Sequence, residues 1–176
     1  MKKILVIAAL FIFSLCNLSY AATVGLWTFD EVSGNTAYDS SGYGNNGTIY
    51  GATRTSGLFG GALSFDGVDD YIDCGDTPSL DINSALTLEA WIKAPHTDSA
   101  TIISKDDDHS NREYYLGFDY GTNGVRWALN TPPPAWHFSV IDSTTQPYDQ
   151  QWHHIAATYD GSYIRLYIDG VEDGVS

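Results

Sequence analysis

The chain has 176 residues, with 8 Lys and Arg against 22 Asp and Glu and a formal net charge of −14 at pH 7. That balance argues against nucleic acid or an anionic membrane as partner, because both reward Lys and Arg. Only two cysteines are present, so a disulfide-framed mini-protein is excluded, and the length suits one domain with a sizeable core.

Met1 to Ala21 comes first. Lys2-Lys3, the apolar run ILVIAALFIF and the small-residue ending Ser19-Tyr20-Ala21 read as a secretory signal peptide cleaved after Ala21. The apolar run is too short for a comfortable membrane span. Bulky Leu15 before Cys16 disfavours lipidation of that cysteine. The leader takes two lysines and no acid with it, leaving 155 residues of net charge −16. A secreted or cell-surface protein is expected, with one domain over residues 22–176 and no membrane insertion. Cys74 is then the only cysteine. Its type predicts a small buried hydrophobe on the YIDC strand, the alternative being a bridge to a residue beyond the C-terminus.

After the leader no helical period is sustained, and short runs rich in Val, Ile, Thr, Tyr, Phe and Trp alternate with turn residues. GLWTFDE sets Leu26 and Thr28 against Trp27 and Phe29, a strand with bulk on both faces. Asp39-Ser40-Ser41-Gly42 and Asn45-Asn46-Gly47 carry turn chemistry. Asp66-Gly67, between ALSF and DDYIDC, and Asn123-Gly124, between YYLGFDY and VRWAL, repeat a strand, turn and strand pattern. LTLEAWIKA puts Leu86, Leu88, Ala90 and Ile92 on a core face, and Thr87, Glu89, Trp91 and Lys93 on the other, with Trp91 half covered. WHHIAATYDGSYIRLYIDG writes two alternating strands joined by a two-residue turn at Asp160-Gly161, with a second such turn at Asp169-Gly170. Val171 to Ser176 opens a strand that pairs back on YIRLYID. A sandwich left open there exposes a hydrophobic edge, so a longer reading frame is expected. The class is all-β and the architecture a two-sheet antiparallel sandwich.

GLWTFDEVSGNTAYDSSGYGNNGTIYGA, GALSFDGVDDYIDCG, LTLEAWIKA and QWHHIAATYDGSYIRLYIDG together resemble the laminin-G-like jelly-roll family, within the concanavalin A-like lectin and glucanase superfamily. The resemblance spans nearly all of residues 22–176. It implies a jelly roll whose last strands are missing from this chain, and a binding role with calcium help.

Glycoside cleavage needs two carboxylates flanking the sugar bond, but Glu31, Glu89, Glu113 and Glu172 are too far apart in sequence for any two to share one strand face. Asp69, Asp70 and Asp73 read as an ordinary solvated loop. His153 and His154 are adjacent on a strand and so point to opposite faces, which rules out a shared metal. His96, His109 and His137 are isolated, and no serine or cysteine nucleophile context appears. No enzyme activity is expected within these residues.

Calcium suits the abundant oxygen donors better. One candidate set is Asp106, Asp107, Asp108 and Asn111, in a stretch that resembles the loop where the related pentraxins place an Asp and an Asn on calcium. The alternative is Asp30, Asp39 and Asp66, where sandwiches of this superfamily often keep a structural ion. For carbohydrate, Trp136 and His137 follow three prolines at a stiff loop tip, and Tyr120 lies nearby with Tyr114 and Trp127, of which Trp127 favours the core. The functional expectation is a non-catalytic extracellular recognition module for carbohydrate or a protein surface. The alternatives are a structural or adhesion spacer of a larger exported protein, and an accessory domain of a downstream glycoside hydrolase.

Overall fold

Period-two runs become strands in the computed structural model, which describes residues 2–3, 21–82, 84–95, 99–107, 111–119, 121, 124–130 and 138–175. The first six strands are β1 (Lys2–Lys3), β2 (Thr36–Ala37), β3 (Gly47–Tyr50), β4 (Thr53–Ser56), β5 (Gly61–Ser64) and β6 (Tyr71–Asp73). Five follow as β7 (Leu86–Lys93), β8 (Ala100–Asp107), β9 (Asn111–Phe118), β10 (Val125–Asn130) and β11 (Phe138–Asp142). The last three are β12 (Trp152–Tyr159), β13 (Ile164–Ile168) and β14 (Val171–Val175). They form a seven-stranded sheet in the order β14-β13-β12-β7-β1-β5-β4, a four-stranded sheet β11-β10-β9-β8 and a three-stranded sheet β2-β3-β6. Neighbouring strands are antiparallel throughout. The one helical turn among the described residues is a 3-10 turn at Pro78–Leu80.

The main core lies between the large sheet and the four-stranded one. Ala90 and Ile92 of β7, Ile155 of β12 and Leu166 of β13 meet Leu116, Val125, Trp127 and Ile141 from the opposite layer. Trp127 is fully buried, as its type predicted, and its indole N–H donates to the Thr158 carbonyl at 3.2 Å. Burying each such side chain contributes about 1.5 to 3 kcal/mol. A second cluster, Phe29, Ala37, Ile49 and Leu63, packs with Trp27, Ala52, Phe65 and Ile72 where the three-stranded sheet covers the other end of the large sheet. On β7 the expected pleat holds, with Leu86, Ala90 and Ile92 buried and Trp91 half-buried beside Glu89 on the outer face.

Several local expectations are corrected. Residues 25–31 form no ladder beyond one bridge, Trp27 to Asp39. The segment is held by side chains instead, and it kinks at buried Phe29, whose φ of +59° turns the ring into the second cluster. A left-handed non-glycine residue costs of order 1 kcal/mol or more, which burial of the ring offsets. Asp160-Gly161 does not make a two-residue turn. Tyr159 faces Ile164 across a four-residue loop, because the Asp160 carboxylate accepts the N–H groups of Ser162 and Tyr163 at 2.9 and 2.8 Å. The tight turn is Asp169-Gly170, with φ of +51° and +79° between paired Ile168 and Val171. Around Asp66-Gly67, β5 and β6 belong to different sheets, so this turn carries the chain from one layer to the other. Asp106 and Asp107 end strand β8 and Asn111 opens β9, with Asp107 opposite Asn111, where a loop was expected. Cys74 is half-buried one residue beyond β6, where a buried strand position was expected.

Candidate functional site

On β3, Gly47 and Ile49 face inward while Thr48 and Tyr50 face solvent. Pairing with β6 sets Tyr50 opposite Tyr71, Ile49 opposite Ile72 and Thr48 opposite Asp73. The two tyrosine rings stack with centroids 4.7 Å apart and planes at 15°, yet remain 45% and 52% exposed. Cross-strand aromatic pairs of this kind contribute roughly 0.2 to 1 kcal/mol. About half of the surface of each tyrosine therefore stays open to solvent.

The turn leading into Tyr71 folds on its own carboxylates. Asp66 Oδ1 accepts the Val68 N–H at 2.8 Å, and Asp70 Oδ2 accepts the Asp66 N–H at 2.8 Å. One carboxylate oxygen from each of Asp66, Asp69 and Asp70 comes within 4.8 Å of the others. Asp70 packs over Gly51, the residue after Tyr50, where an added Cβ would lie 1.8 Å from Asp70 Oδ1 and where φ is +74°. Glycine is thus required at position 51 on both counts. This contact joins the acidic turn and the tyrosine pair into one corner of the sandwich. Three hard oxygen donors suit a calcium-like cation, which takes six to eight oxygens and so leaves positions for water, backbone or ligand hydroxyls.

The other expected site residues lie elsewhere. Asp39 organises its own loop: Oδ1 accepts the N–H groups of Leu26 and Ser41, and Oδ2 accepts the Ser41 hydroxyl and the Asn45 N–H. Burial opposes its ionisation, but these four bonds outweigh it and hold the carboxyl below the usual carboxylate value. Asp30 Oδ1 accepts the Gly61 N–H at 2.7 Å. Among the described residues the metal-competent grouping joins Asp66 to Asp69 and Asp70, and neither Asp30 nor Asp39 is in it. The β8–β9 pairing brings Asp106, Asp107 and Asn111 to one hairpin end. Asp108, Tyr120, Trp136 and His137 lie outside the described residues.

Sequence reasoning missed both tyrosines of the corner. The DGVDDY run carried the signal for the acidic turn, but Tyr50 joins it only through the β3–β6 register. Asn45 was missed too. It is 1% exposed; its amide donates to the Val24 carbonyl and Ser79 Oγ, its Oδ1 accepts from the Thr77 hydroxyl, and its backbone carbonyl accepts the Trp27 indole N–H. The two histidines separate as expected. His153 lies between Asp149 and Asp169, while His154 faces Glu89 at 3.2 Å on the outer sheet face, beside Trp91.

Antiparallel sheets packed face to face over two apolar cores define a β-sandwich class of domain. The laminin-G family model described as Concanavalin A-like lectin/glucanases superfamily matches residues 66–176, and the chain belongs to that family. No curated protein matches this chain. Among solved structures, the crystal structure of the binding domain of Paraclostridial Mosquitocidal Protein 1 is similar, with a TM-score of 0.58 and 17% identity over 82% of this chain. This chain spans 40% of that structure, and the likeness is one of fold.

Proposed function

We propose that this chain is a non-catalytic recognition domain of an exported protein that binds glycan at the corner formed by Tyr50, Tyr71 and the Asp66, Asp69 and Asp70 carboxylates. The observation that carries this reading is the stacked, half-exposed tyrosine pair joined through Gly51 to three converging carboxylates. Sugar rings offer apolar C–H faces to aromatic rings and hydroxyls to carboxylates or a bound cation. Calcium held by the three aspartates would supply a Lewis-acidic point for two neighbouring hydroxyls, while Tyr50 and Tyr71 orient the ring. The similar structure is a binding domain by its own description, which supports a binding role.

The two glutamates of the large sheet lie too far apart to act as a glycosidase pair. Glu89 and Glu172 share the outer face of the large sheet through the register Glu89 to Ala156, Ala156 to Tyr167 and Tyr167 to Glu172. Three strand spacings separate them, about 14 Å. Glycosidase carboxyl pairs lie about 5 to 9.5 Å apart. Glu31 is tied to Arg54 at 2.9 Å.

Glycan-array screening with and without calcium, followed by calorimetry, tests this reading. Tyr71→Ala is expected to weaken binding about tenfold or more, as loss of an aromatic stacking contact would, with the fold intact. Asp69→Asn is expected to remove the calcium dependence. Equal affinity of wild type and both variants for a bound glycan would overturn the assignment to this corner.

A further inference from the structure

Residues 31–50 and 66–76, which build the small sheet β2-β3-β6 and its loops, hold seven Asp and Glu and neither Lys nor Arg. They also hold four of the five exposed tyrosines among the described residues, Tyr38, Tyr43, Tyr50 and Tyr71, the fifth being Tyr163. Inward, these strands bury Ala37, Gly47 and Ile49. Alternation therefore sends Asn46, Thr48 and Tyr50 outward, and all three are exposed. Across the sheet Thr48 pairs with Thr36 on one side and Asp73 on the other, so one row of the outer face reads Thr36, Thr48 and Asp73, and Tyr50 and Tyr71 form the next.

The same face has a second aromatic end. The β2–β3 ladder runs from Thr36 and Thr48 to Ala37 and Gly47. One step further Tyr38, 58% exposed, comes beside Asn46, whose Oδ1 accepts the adjoining Asp39 N–H at 2.9 Å. Tyr43 stands in the loop that joins the two strands at this end, and Asp39 pins that loop through Ser41 and Asn45. From Tyr50 to Asn46 is four residues of strand, about 14 Å, and from β6 to β2 is two strand spacings, roughly 10 Å. The tyrosine pair and Tyr38 thus mark opposite corners of one face, on the order of 17 Å apart at the backbone, farther than a single sugar ring reaches.

Resting on the glycan reading of the corner, we propose that this face binds the interior of an uncharged, extended glycan chain, with consecutive sugars spread from the Tyr50 and Tyr71 pair to Tyr38. Charge selects against sulfated or uronate-rich chains. The seven carboxylates repel them, and even a divalent cation held by Asp66, Asp69 and Asp70 leaves that turn negative. Arg54, which reaches the β2 edge, is committed to Glu31 and to the carbonyls of Gly34 and Thr36. Tyrosine rings at both ends offer stacking surface, while Asn46, Thr48 and Asp73 between them offer an amide, a hydroxyl and a carboxylate to sugar hydroxyls. Two ladders hold these groups in place before the ligand arrives, so a longer chain gains contacts without the cost of ordering the protein.

Calorimetry on the protein as its full gene encodes it, with calcium present, tests this with cello-, xylo- and chito-oligosaccharides of two and six sugars. In the series that binds, the hexasaccharide is expected to bind at least about tenfold more tightly than the disaccharide. Tyr38→Ala is expected to remove most of that gain and to leave the disaccharide Kd within about twofold, whereas Tyr38→Phe, which keeps the ring, retains the gain. Tyr71→Ala weakens both lengths. Equal affinity for the two lengths, or a Tyr38→Ala variant as tight as wild type for the hexasaccharide, overturns the extended site; if Tyr71→Ala still weakens binding, the corner reading stands. Tighter binding of a heparin hexasaccharide or of hexagalacturonate than of every uncharged hexasaccharide overturns the proposal through its charge selection. Failure of every series to bind overturns the corner reading and the extended site together.

Discussion

Both ring nitrogens of His153 face carboxylates, Nδ1 at 2.7 Å from Asp169 Oδ2 and Nε2 at 3.0 Å from Asp149 Oδ1. Only the doubly protonated ring donates to both at once. Burial disfavours the charged ring, but the bonds to Asp169 and Asp149 outweigh it and raise the His153 pKa above its ordinary 6.5. The stabilisation is therefore complete below about pH 6.5, the unfolded value, and is lost as pH rises through the higher folded value. Titration by NMR is expected to give His153 a midpoint above 6.5, and His153→Gln is expected to flatten the fall in Tm over that window. A midpoint at or below 6.5 would contradict the doubly bonded geometry. The sequence showed that His153 and His154 part to opposite faces, since strand alternation is local. It did not show the aspartates, because Asp149 and Asp169 approach only through a loop and a hairpin. Tyr50 and Tyr71 were hidden for the same reason, twenty-one positions apart and joined only by register.

At the scale of elements, β14 is fastened by Asp173, which is 9% exposed. Its Oδ1 accepts the Thr144 N–H and hydroxyl, and its Oδ2 accepts the Thr145 N–H. The edge strand of the large sheet is thereby tied to the loop after β11 in the opposite layer. Burial alone would raise this carboxyl, but the bonds from Thr144 and Thr145 prevail and lower its pKa to about 2. That contribution is present above the unfolded value, near 4, and is lost as pH falls towards 2. Asp173→Asn is expected to cost on the order of 2 kcal/mol at pH 7 and to abolish much of the acid-side loss of stability, read from urea melts at pH 7, 4 and 3. An unchanged acid limb would refute the role. Turn chemistry was legible only in part at this scale. Asp169-Gly170 takes the expected two-residue form, whereas the Asp160 carboxylate captures its own loop and widens it, a competition that an Asp-Gly pair does not reveal by itself.

For the whole molecule, alternation along β7, β12 and β13 was enough to give an all-β sandwich and its main core. What alternation could not show was the division into two core clusters, which depends on the irregular 25–31 segment and on Asn45, a polar residue whose burial no apolar pattern announces. Without β1, residues 22–176 leave the facing edges of β5 and β7 without a ladder partner among the described residues, and each unsatisfied buried group costs about 1 to 3 kcal/mol against a net stability of about 5 to 15. That fragment is expected to aggregate or to melt without cooperativity in calorimetry. A sharp transition from a soluble monomer would show that the sandwich closes without help.

The pairing of β7 with β12 has a consequence in time. Leu86 meets Tyr159 and Lys93 meets Trp152, so the centre of the large sheet joins residues 59 to 73 positions apart. Between them the ribosome must deliver β8 to β11, a meander of neighbouring antiparallel strands that can form as soon as it emerges. Until β12 and β13 arrive, that meander carries Leu116, Trp127 and Ile141 on a bare apolar face. The nascent chain is therefore most vulnerable to misassociation in the interval between synthesis of residues 142 and 168, and a chaperone acting on it has its greatest effect there.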